Sequence, residues 1–329
     1  GDFRTVDYKK IGSLETIDSI SDHVEAVLKV LPNVAAIRKK KYTVVVDGVA
    51  GAGRVALPAL LEALGCRVIR LYCAPTPGGK FPRPPEPPPK ALKEFGKLTR
   101  ARKAAVGFAL DPDADRLVTG SPARGAVNEE YTLPLALLGL LEAQAKTKQG
   151  RALTGVVNLS TSTLTDFVMA RAGGRVLRAP VGEAKVVAMM LAIKAAFVGE
   201  GNGGVIHPGV PSYGRDSLTG AGLILSAMAA AGARSLDDLL SGLPDLFMQK
   251  AKFPVDREKL EAVFARFADG FGECVADRRD GLHLSLRAGG WLHVRASNTE
   301  PVIRVISEAP SARELKALMA RSEELLKNL

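Results

Sequence analysis

YTVVVDGVAGAGRVALPALLEALGCRVIRLYC, residues 42–73, decides the fold class. YTVVVDG is a short apolar strand that closes on the Asp47-Gly48 turn. Val55 to Leu64 carries apolar residues at helical spacing and stops at Gly65, the residue type that most often follows a helix end. CRVIRLYC is the next strand, so the stretch reads as a β-α-β unit. Within it, Gly51-x-Gly53-x-x-Ala56 matches the relaxed dinucleotide fingerprint, in which glycines let backbone approach a pyrophosphate at a helix N-terminus. Two features weaken that match. The second strand ends without the Asp or Glu that would take the ribose hydroxyls, and Gly51 lies several residues past the strand end. A plain glycine-rich turn is the favoured reading, with a nucleotide-dependent oxidoreductase kept as a distant alternative.

Working outward, Ser21 to Leu31 reads as a helix with Val24, Val27, Leu28 and Leu31 on one face. The proline-dense PTPGGKFPRPPEPPP (75–89) can hold neither a helix nor a central strand, and is expected as an irregular loop over a domain face. A helix at 90–103 and a strand at 105–110 complete this segment. The alternation then repeats, with helices at about 130–147, 161–172, 183–195 and 216–232 and strands at 153–158, 175–179 and 196–198. After it the order changes: strand 248–254, helix 256–268, strands near 273–276, 282–287, 290–295 and 301–307, and a terminal helix at 311–327. The expected fold is α/β, two similar three-layer α/β domains followed by a smaller α+β C-terminal domain. The expected boundaries are 1–20 (a linker or the remnant of a preceding domain), 21–124, 125–246 and 247–329.

Bulk properties narrow the function. The 329 residues are too many for one ordinary core, and 47% hydrophobic with 24% charged residues is a soluble composition. No apolar run reaches the roughly 18 residues of a membrane span, and GDFRTVDYKKIG has no apolar signal-like core. Three cysteines without CxxC spacing favour reduced thiols and a cytoplasmic location. Lys and Arg outnumber Asp and Glu 45 to 35, a net charge of +10. That charge is spread along the chain and only 5% of residues are aromatic, so a nucleic-acid surface is not expected; a potential that draws in phosphorylated small molecules is.

FALDPDADRLVTG (108–120) carries chemistry. An apolar strand breaks into Asp111, Asp113 and Asp115 at alternate positions, then Arg116. Carboxylates so close repel unless a cation sits among them. A calcium EF-hand needs Gly and Glu where Arg116 and Pro122 stand. A D-x-D-x-[TV] aspartyl-phosphate nucleophile needs Thr or Val where Asp115 stands. There remain a solvated acidic turn and a site for a hard divalent ion such as Mg²⁺, with Arg116 aimed at a phosphate held by the same ion; the second is favoured.

Two more loops suit one ligand. In GEGNGG (199–204), Glu200 and Asn202 stand among four glycines, a carboxylate and an amide fitted to vicinal sugar hydroxyls unless the loop is only a flexible turn. In VRASNTEPVIRVISE (294–308), Arg295, Ser297, Asn298, Thr299 and the later Arg304 form a phosphate cradle between two strands; an ordinary hairpin turn is the alternative. Metal, sugar loop and cradle together describe a phosphorylated sugar held at both ends.

DPDADR, GEGNGG and RASNTEP, in this order, resemble the metal, sugar and phosphate loops of the α-D-phosphohexomutases, the family of phosphomannomutase/phosphoglucomutases and phosphoglucosamine mutases. GKFPRPPEPPPKAL and YGRDS resemble further segments of it, and the likeness spans the chain as the family's second to fourth domains. The resemblance implies Mg²⁺ on Asp111, Asp113 and Asp115, a catalytic Arg116, sugar hydroxyls on Glu200 and Asn202, and the non-transferred phosphate on Arg295, Ser297, Asn298, Thr299 and Arg304. It also implies an intramolecular phosphotransferase that moves phosphate between O1 and O6 of a hexose through a bound 1,6-bisphosphate. The departures are Pro112 for the metal loop's usual Gly, Asn202 for the sugar loop's usual Ser, and no Ser-His-Asn-Pro phosphoserine loop. The chain by itself is therefore expected to be inactive, the alternative being a shortened homologue that binds sugar phosphates or a partner without chemistry. The expected ligand is a phosphorylated hexose, with neither nucleic acid nor membrane as partner, and with self-association through apolar surface that a first domain would cover.

Overall fold

The structure, a computed structural model, describes residues 5–145, 153–272, 274–287, 289–297 and 300–327. Its first sheet holds β1 (Thr43–Asp47), β2 (Arg67–Leu71), β3 (Val106–Leu110), β4 (Leu117–Ser121) and β5 (Gly125–Ala126) in the order β2-β1-β3-β4-β5. The first three run parallel; β4 and β5 turn back antiparallel. The second sheet, β6 (Thr154–Asn158), β7 (Arg175–Ala179), β8 (Phe197–Glu200) and β9 (Gly204–Ile206), repeats this as β7-β6-β8-β9, again with an antiparallel last strand. The Asp111–Arg116 loop joins β3 to β4, and the Glu200–Gly204 loop joins β8 to β9. The two loops thus occupy the same topological position in two similar sheets.

Helices cover both faces of each sheet, which is why inner strands such as β1 and β3 read as nearly unbroken apolar runs, while the edge strands β2 and β7 carry arginines. On the first sheet, Val45, Ala109 and Val118 meet Leu92 and Phe95 at α4 (Lys93–Ala101). Val44, Val46, Phe108 and Leu110 point the other way, toward α1 (Ser19–Val30), α3 (Gly53–Ala63) and α8 (Ser217–Ala230). On the second sheet, Val156, Val198 and Ile206 meet Val186 and Met190 of α7 (Glu183–Ile193). Its inner face, with Val157, Phe197 and Val205, joins the core of the first sheet through α5 (Thr132–Ala145), α6 (Leu164–Arg171) and α8. The two α/β units therefore share one core.

That core is centred on α8, in which every residue from Ser217 to Ala229 is buried. Full burial of Leu223, Ile224 and Leu225 is worth about 1.5–3 kcal/mol for each side chain. At Gly139 of α5 a Cβ would lie 2.0 Å from the Leu223 carbonyl oxygen, so glycine sets how closely the two helices cross.

The C-terminal sheet contains β10 (Phe247–Pro254), β11 (Cys274–Asp277), β12 (Leu282–Leu286), β13 (Trp291–Ala296) and β14 (Val302–Ala309), all antiparallel, in the order β10-β14-β13-β12-β11. Strand periodicity sorts its residues by face. Leu292, Val294, Ile303 and Val305 form a separate core with Phe264, Phe267 and Met319 of α10 (Leu260–Phe271) and α11 (Ala312–Leu326). The opposite face meets the second α/β unit. There Lys250 lies 2.8 Å from Glu129 and 2.7 Å from Glu130, Ser160 Oγ lies 2.8 Å from His293 Nδ1, and Glu308 accepts the Thr163 N–H at 3.2 Å.

The fold class read from the sequence is borne out. Five short elements were not anticipated: β4, β5, β9, α2 (Val34–Lys40) and α9 (Leu236–Leu240). α2 ends in the cluster Arg38, Lys39 and Lys40, cations at a helix C-terminus where the helix dipole favours them. The helix expected from 256 starts at Leu260 after a single 3₁₀ turn at Arg257–Lys259. Positions 146–147 of the helix expected at 130–147, and position 273 of the strand expected at 273–276, lie outside the described residues. The segment 5–18 is exposed throughout, with Val6, Tyr8, Ile11, Leu14 and Ile17 uncovered. No helix among the described residues is long and apolar enough to cross a membrane.

The chain's single tryptophan, Trp291, stacks on His283 with ring centroids 5.3 Å apart. Burial first, and then the facing His293, hold His283 down to about 4. A histidine depressed in the folded state stabilises it fully above the ordinary value of about 6.5, and that stability is lost as pH falls from there through the folded value. Acid quenching of Trp291 fluorescence is therefore expected with a midpoint near 4, together with loss of C-terminal-domain stability below about 6. Quenching centred at the ordinary histidine value would contradict the burial.

Candidate active site

The strand β3 ends at Leu110, and the next turn brings one carboxylate oxygen each of Asp111, Asp113 and Asp115 within 4.8 Å of one another. Asp111 is buried and Asp113 exposed, with Asp115 between them. Burial, helped by a hydrogen bond with Asp115, pushes the Asp111 carboxyl up to about 7. Asp115 Oδ1 is buried without a hydrogen-bond partner among the described residues. Clustered hard oxygen donors with an unpartnered buried lone pair fit a divalent ion such as Mg²⁺. Arg116 closes the turn: its N–H donates to Asp111 at 3.0 Å, and its Nε lies 3.5 Å from Asp111 and 3.6 Å from Asp115.

Two neighbours hold this loop. The Ala52 N–H donates to the Pro112 carbonyl at 2.7 Å, and a Cβ on Gly51 would lie 2.4 Å from that oxygen. The glycines that resemble a dinucleotide fingerprint thus serve close packing against the aspartate loop. From the proline-dense segment, Arg83 reaches inward to Asp47 at the end of β1, with Nε–Oδ2 2.8 Å, and donates to the Leu110 carbonyl at 2.5 Å. Both side chains of the Arg83–Asp47 pair are at least 95% buried. Removing one partner of such a pair costs about 3–5 kcal/mol, because the other charge is left uncompensated. Glu86 of the same segment meets Arg116 at 3.2 Å and lines a small pocket with Pro87, Pro88, Arg116, Glu129 and Asn202.

The second loop joins the first across Arg215. Asp115, Glu183 and Glu200 all pair with its guanidinium, the two glutamates at 2.8 and 3.2 Å. Glu200, 3% exposed, also accepts Asn158 Nδ2 at 2.8 Å and the Gly182 N–H at 3.2 Å. Backbone completes the link, since the Leu117 N–H donates to the Gly203 carbonyl at 3.1 Å.

The third group lies on the outward face of the C-terminal sheet. Arg295 Nε meets Asp280 Oδ2 at 3.2 Å, and the same oxygen accepts the Val181 N–H at 3.0 Å, next to the Gly182 that bonds Glu200. Arg295 is thereby tied to the Glu200 loop through Asp280 and the 181–182 turn. Ser297 is buried at the strand end, while Asn298 and Thr299 lie outside the described residues.

Family models cover the chain almost end to end: phosphoglucomutase/phosphomannomutase alpha/beta/alpha domain II matches residues 21–122, alpha/beta/alpha domain III matches 131–247 and the C-terminal domain matches 250–325. The chain belongs to the phosphoglucomutase/phosphomannomutase family. A phosphoglucomutase/phosphomannomutase of Thermococcus kodakarensis is 35% identical over 99% of this chain and 69% of its own length. A probable phosphoglucosamine mutase of Methanothermobacter thermautotrophicus is 31% identical over 100% of this chain and 70% of its own. Among solved structures, a phosphoglucomutase/phosphomannomutase family protein from Burkholderia thailandensis superposes with a TM-score of 0.79 at 24% identity, covering 95% of this chain and 65% of that one. An N-acetylphosphoglucosamine mutase of Aspergillus fumigatus, solved with GlcNAc-6P and magnesium, gives 0.57 at 14% identity over 93% of this chain and 68% of that one. The chain thus spans about two thirds of the length of these relatives.

As a phosphoglucomutase/phosphomannomutase family member, the chain carries site contacts that the sequence reading did not single out. Arg304 stands directly across from Arg295 on one side and from Lys252 on the other, three cations in one cross-strand row. Like charges in register destabilise a sheet unless an anion joins them. Glu300 answers only in part, 2.8 Å from Lys252 and 3.9 Å from Arg304, and Arg304 Nε is buried without a hydrogen-bond partner among the described residues. Lys252 and Asp280 sit alone in ordinary-looking segments, while Arg83 and Arg215 fall within the GKFPRPPEPPPKAL and YGRDS segments of the resemblance without having been singled out there.

Substitution of Gly51 by Ala is expected to destabilise the chain by about 1–3 kcal/mol, as overpacking does. The measurement is the urea midpoint, with Gly12→Ala, which has nothing within 4 Å, as the neutral control. Equal midpoints would contradict the close packing of turn and aspartate loop.

Proposed function

We propose that this chain is the substrate-holding part of a phosphohexomutase that interconverts hexose 1-phosphate and hexose 6-phosphate through a bound 1,6-bisphosphate. The observation that carries the reading is convergence. The aspartate loop reaches Glu200 through Arg215, and Arg295 reaches Glu200 through Asp280 and the 181–182 turn. A ligand with a hydroxyl-bearing ring and a phosphate at either end matches that spacing of chemistries.

Asp111, Asp113 and Asp115 would hold Mg²⁺, which when bound supplies charge stabilisation for a phosphoryl group. Arg116 offers a guanidinium to the same phosphoryl oxygens and bears on the transferring group. Glu200 accepts hydrogen bonds from ring hydroxyls, and Asn202, in the pocket with Arg116, can donate as well as accept. Arg295, Ser297, Asn298, Thr299 and Arg304 take the phosphate that is not transferred, with Lys252 completing the cationic row. A bisphosphate that turns over between half-reactions must present either phosphate to this cradle, which favours a cluster of fork-like donors over a shaped ring pocket. The phosphoserine donor implied by the family's chemistry is not among these residues as a Ser-His-Asn-Pro loop, so the 329 residues are expected to bind without turning over.

Calorimetric titration with glucose 1,6-bisphosphate, with and without Mg²⁺, tests this reading beside Arg295→Ala. Binding by the intact chain, strengthened by Mg²⁺ and weakened at least about tenfold in the variant, is expected from loss of a charge-assisted phosphate contact. Equal affinity in the variant would remove Arg295 from the site. No binding by the intact chain would overturn the sugar-phosphate reading for these residues.

A further inference from the structure

Arg215 stands outside the three loops yet touches two of them. It precedes Asp216, the residue that caps the N-terminus of α8 by accepting the Leu218 and Thr219 N–H groups. Its guanidinium is shared among carboxylates from three elements: Asp115 of the aspartate loop, Glu183 at the first residue of α7, and Glu200 at the end of β8. The Arg215 N–H also donates to Glu183 at 3.2 Å.

The local backbone leaves it little freedom. A Cβ on Gly204 would lie 2.3 Å from Arg215 Cδ, so the arginine stem crosses the sugar loop where only glycine leaves room. The Asp216 N–H donates to the Val205 carbonyl at 2.8 Å and the Ser217 N–H to the Ala114 carbonyl at 3.2 Å. The segment that carries Arg215 is thus pinned to both loops, and its side chain is only 17% exposed.

A guanidinium and a divalent ion on one carboxylate repel each other and share its single negative charge, here with Arg215 on Oδ2 beside the unpartnered Oδ1. Both are directed at Asp115, whereas Glu183 and Glu200 stand outside the aspartate cluster and pair with the guanidinium without belonging to the ion's ligand set. We propose that Arg215 is an internal competitor for the metal: it sets metal affinity by holding Asp115, and a bound ion displaces it onto Glu183 and Glu200. The inference rests on the reading of Asp111, Asp113 and Asp115 as metal ligands. Arg215 acts through Asp115 and is a positioning residue.

The competition has a sign that a merely structural role lacks. Arg215→Gln removes the competing cation and leaves three carboxylates less compensated, so metal binding tightens, by roughly tenfold for an ion pair this poorly exposed. Glu183→Gln removes one alternative anchor, returns the guanidinium to Asp115 and weakens metal binding severalfold. The test is titration of the full chain and both variants with Mn²⁺, followed by the electron paramagnetic resonance of the free ion, with circular dichroism to verify folding. Tighter binding in Arg215→Gln and weaker binding in Glu183→Gln are expected. Unchanged or weaker binding in a folded Arg215→Gln overturns the proposal. If that variant does not fold, unchanged or tighter binding in Glu183→Gln overturns it. A wild-type chain that binds no Mn²⁺ overturns the metal-ligand reading beneath it.

Discussion

Everything in the site depends on the burial of α8. A helix that is apolar on all sides cannot lie on a surface, because each exposed face would forfeit the transfer free energy of its side chains. The two sheets must close around it, and they do so from opposite sides, with α5 crossing at Gly139 and α1, α2 and α3 flanking it. Asp216 then caps the start of the helix where the aspartate loop and the Glu200 loop meet. Placing the helix places the loops.

Repetition does the rest of the positioning. Each sheet has three parallel strands followed by an antiparallel fourth, and each carries its chemistry in the hairpin between the third and fourth. Two similar units packed on a common helix layer bring those hairpins together, and Arg215 joins them. The C-terminal sheet contributes by alternation: one face forms its own core, and the other presents Arg295, Arg304 and Lys252 beside the contacts that dock it on the second unit. Electrostatics follow from that geometry, acidic at the aspartate loop and basic on the C-terminal face.

The aspartate, sugar and phosphate loops were legible because each packs its chemistry into six or seven consecutive residues. Alternating carboxylates, a carboxylate and amide among glycines, and Ser-Asn-Thr beside arginines are local patterns. The contacts that were not legible are solitary. Arg83 sits in a proline-dense loop with nothing in sequence to say that it crosses to Asp47, and Asp280 lies in a hairpin turn. Arg215 pairs with residues 15, 32 and 100 positions away. The strands β4 and β9 escaped for a related reason: each contains a glycine and follows directly on a polar loop, and each pairs antiparallel with the strand before that loop.

By itself, the sequence determined the alternation of strands and helices, the change to a strand-clustered α+β C-terminal domain, and the residue types of the three loops. These are local properties, set by apolar period, turn chemistry and adjacent polar groups. Tertiary structure decided that the first two domains share one core and that the glycine-rich turn packs on Pro112 instead of taking a nucleotide phosphate. It also decided which cation meets which carboxylate. Ion pairing acts over a few ångströms of space irrespective of separation along the chain, so its partners are fixed only once α8 has drawn the sheets together.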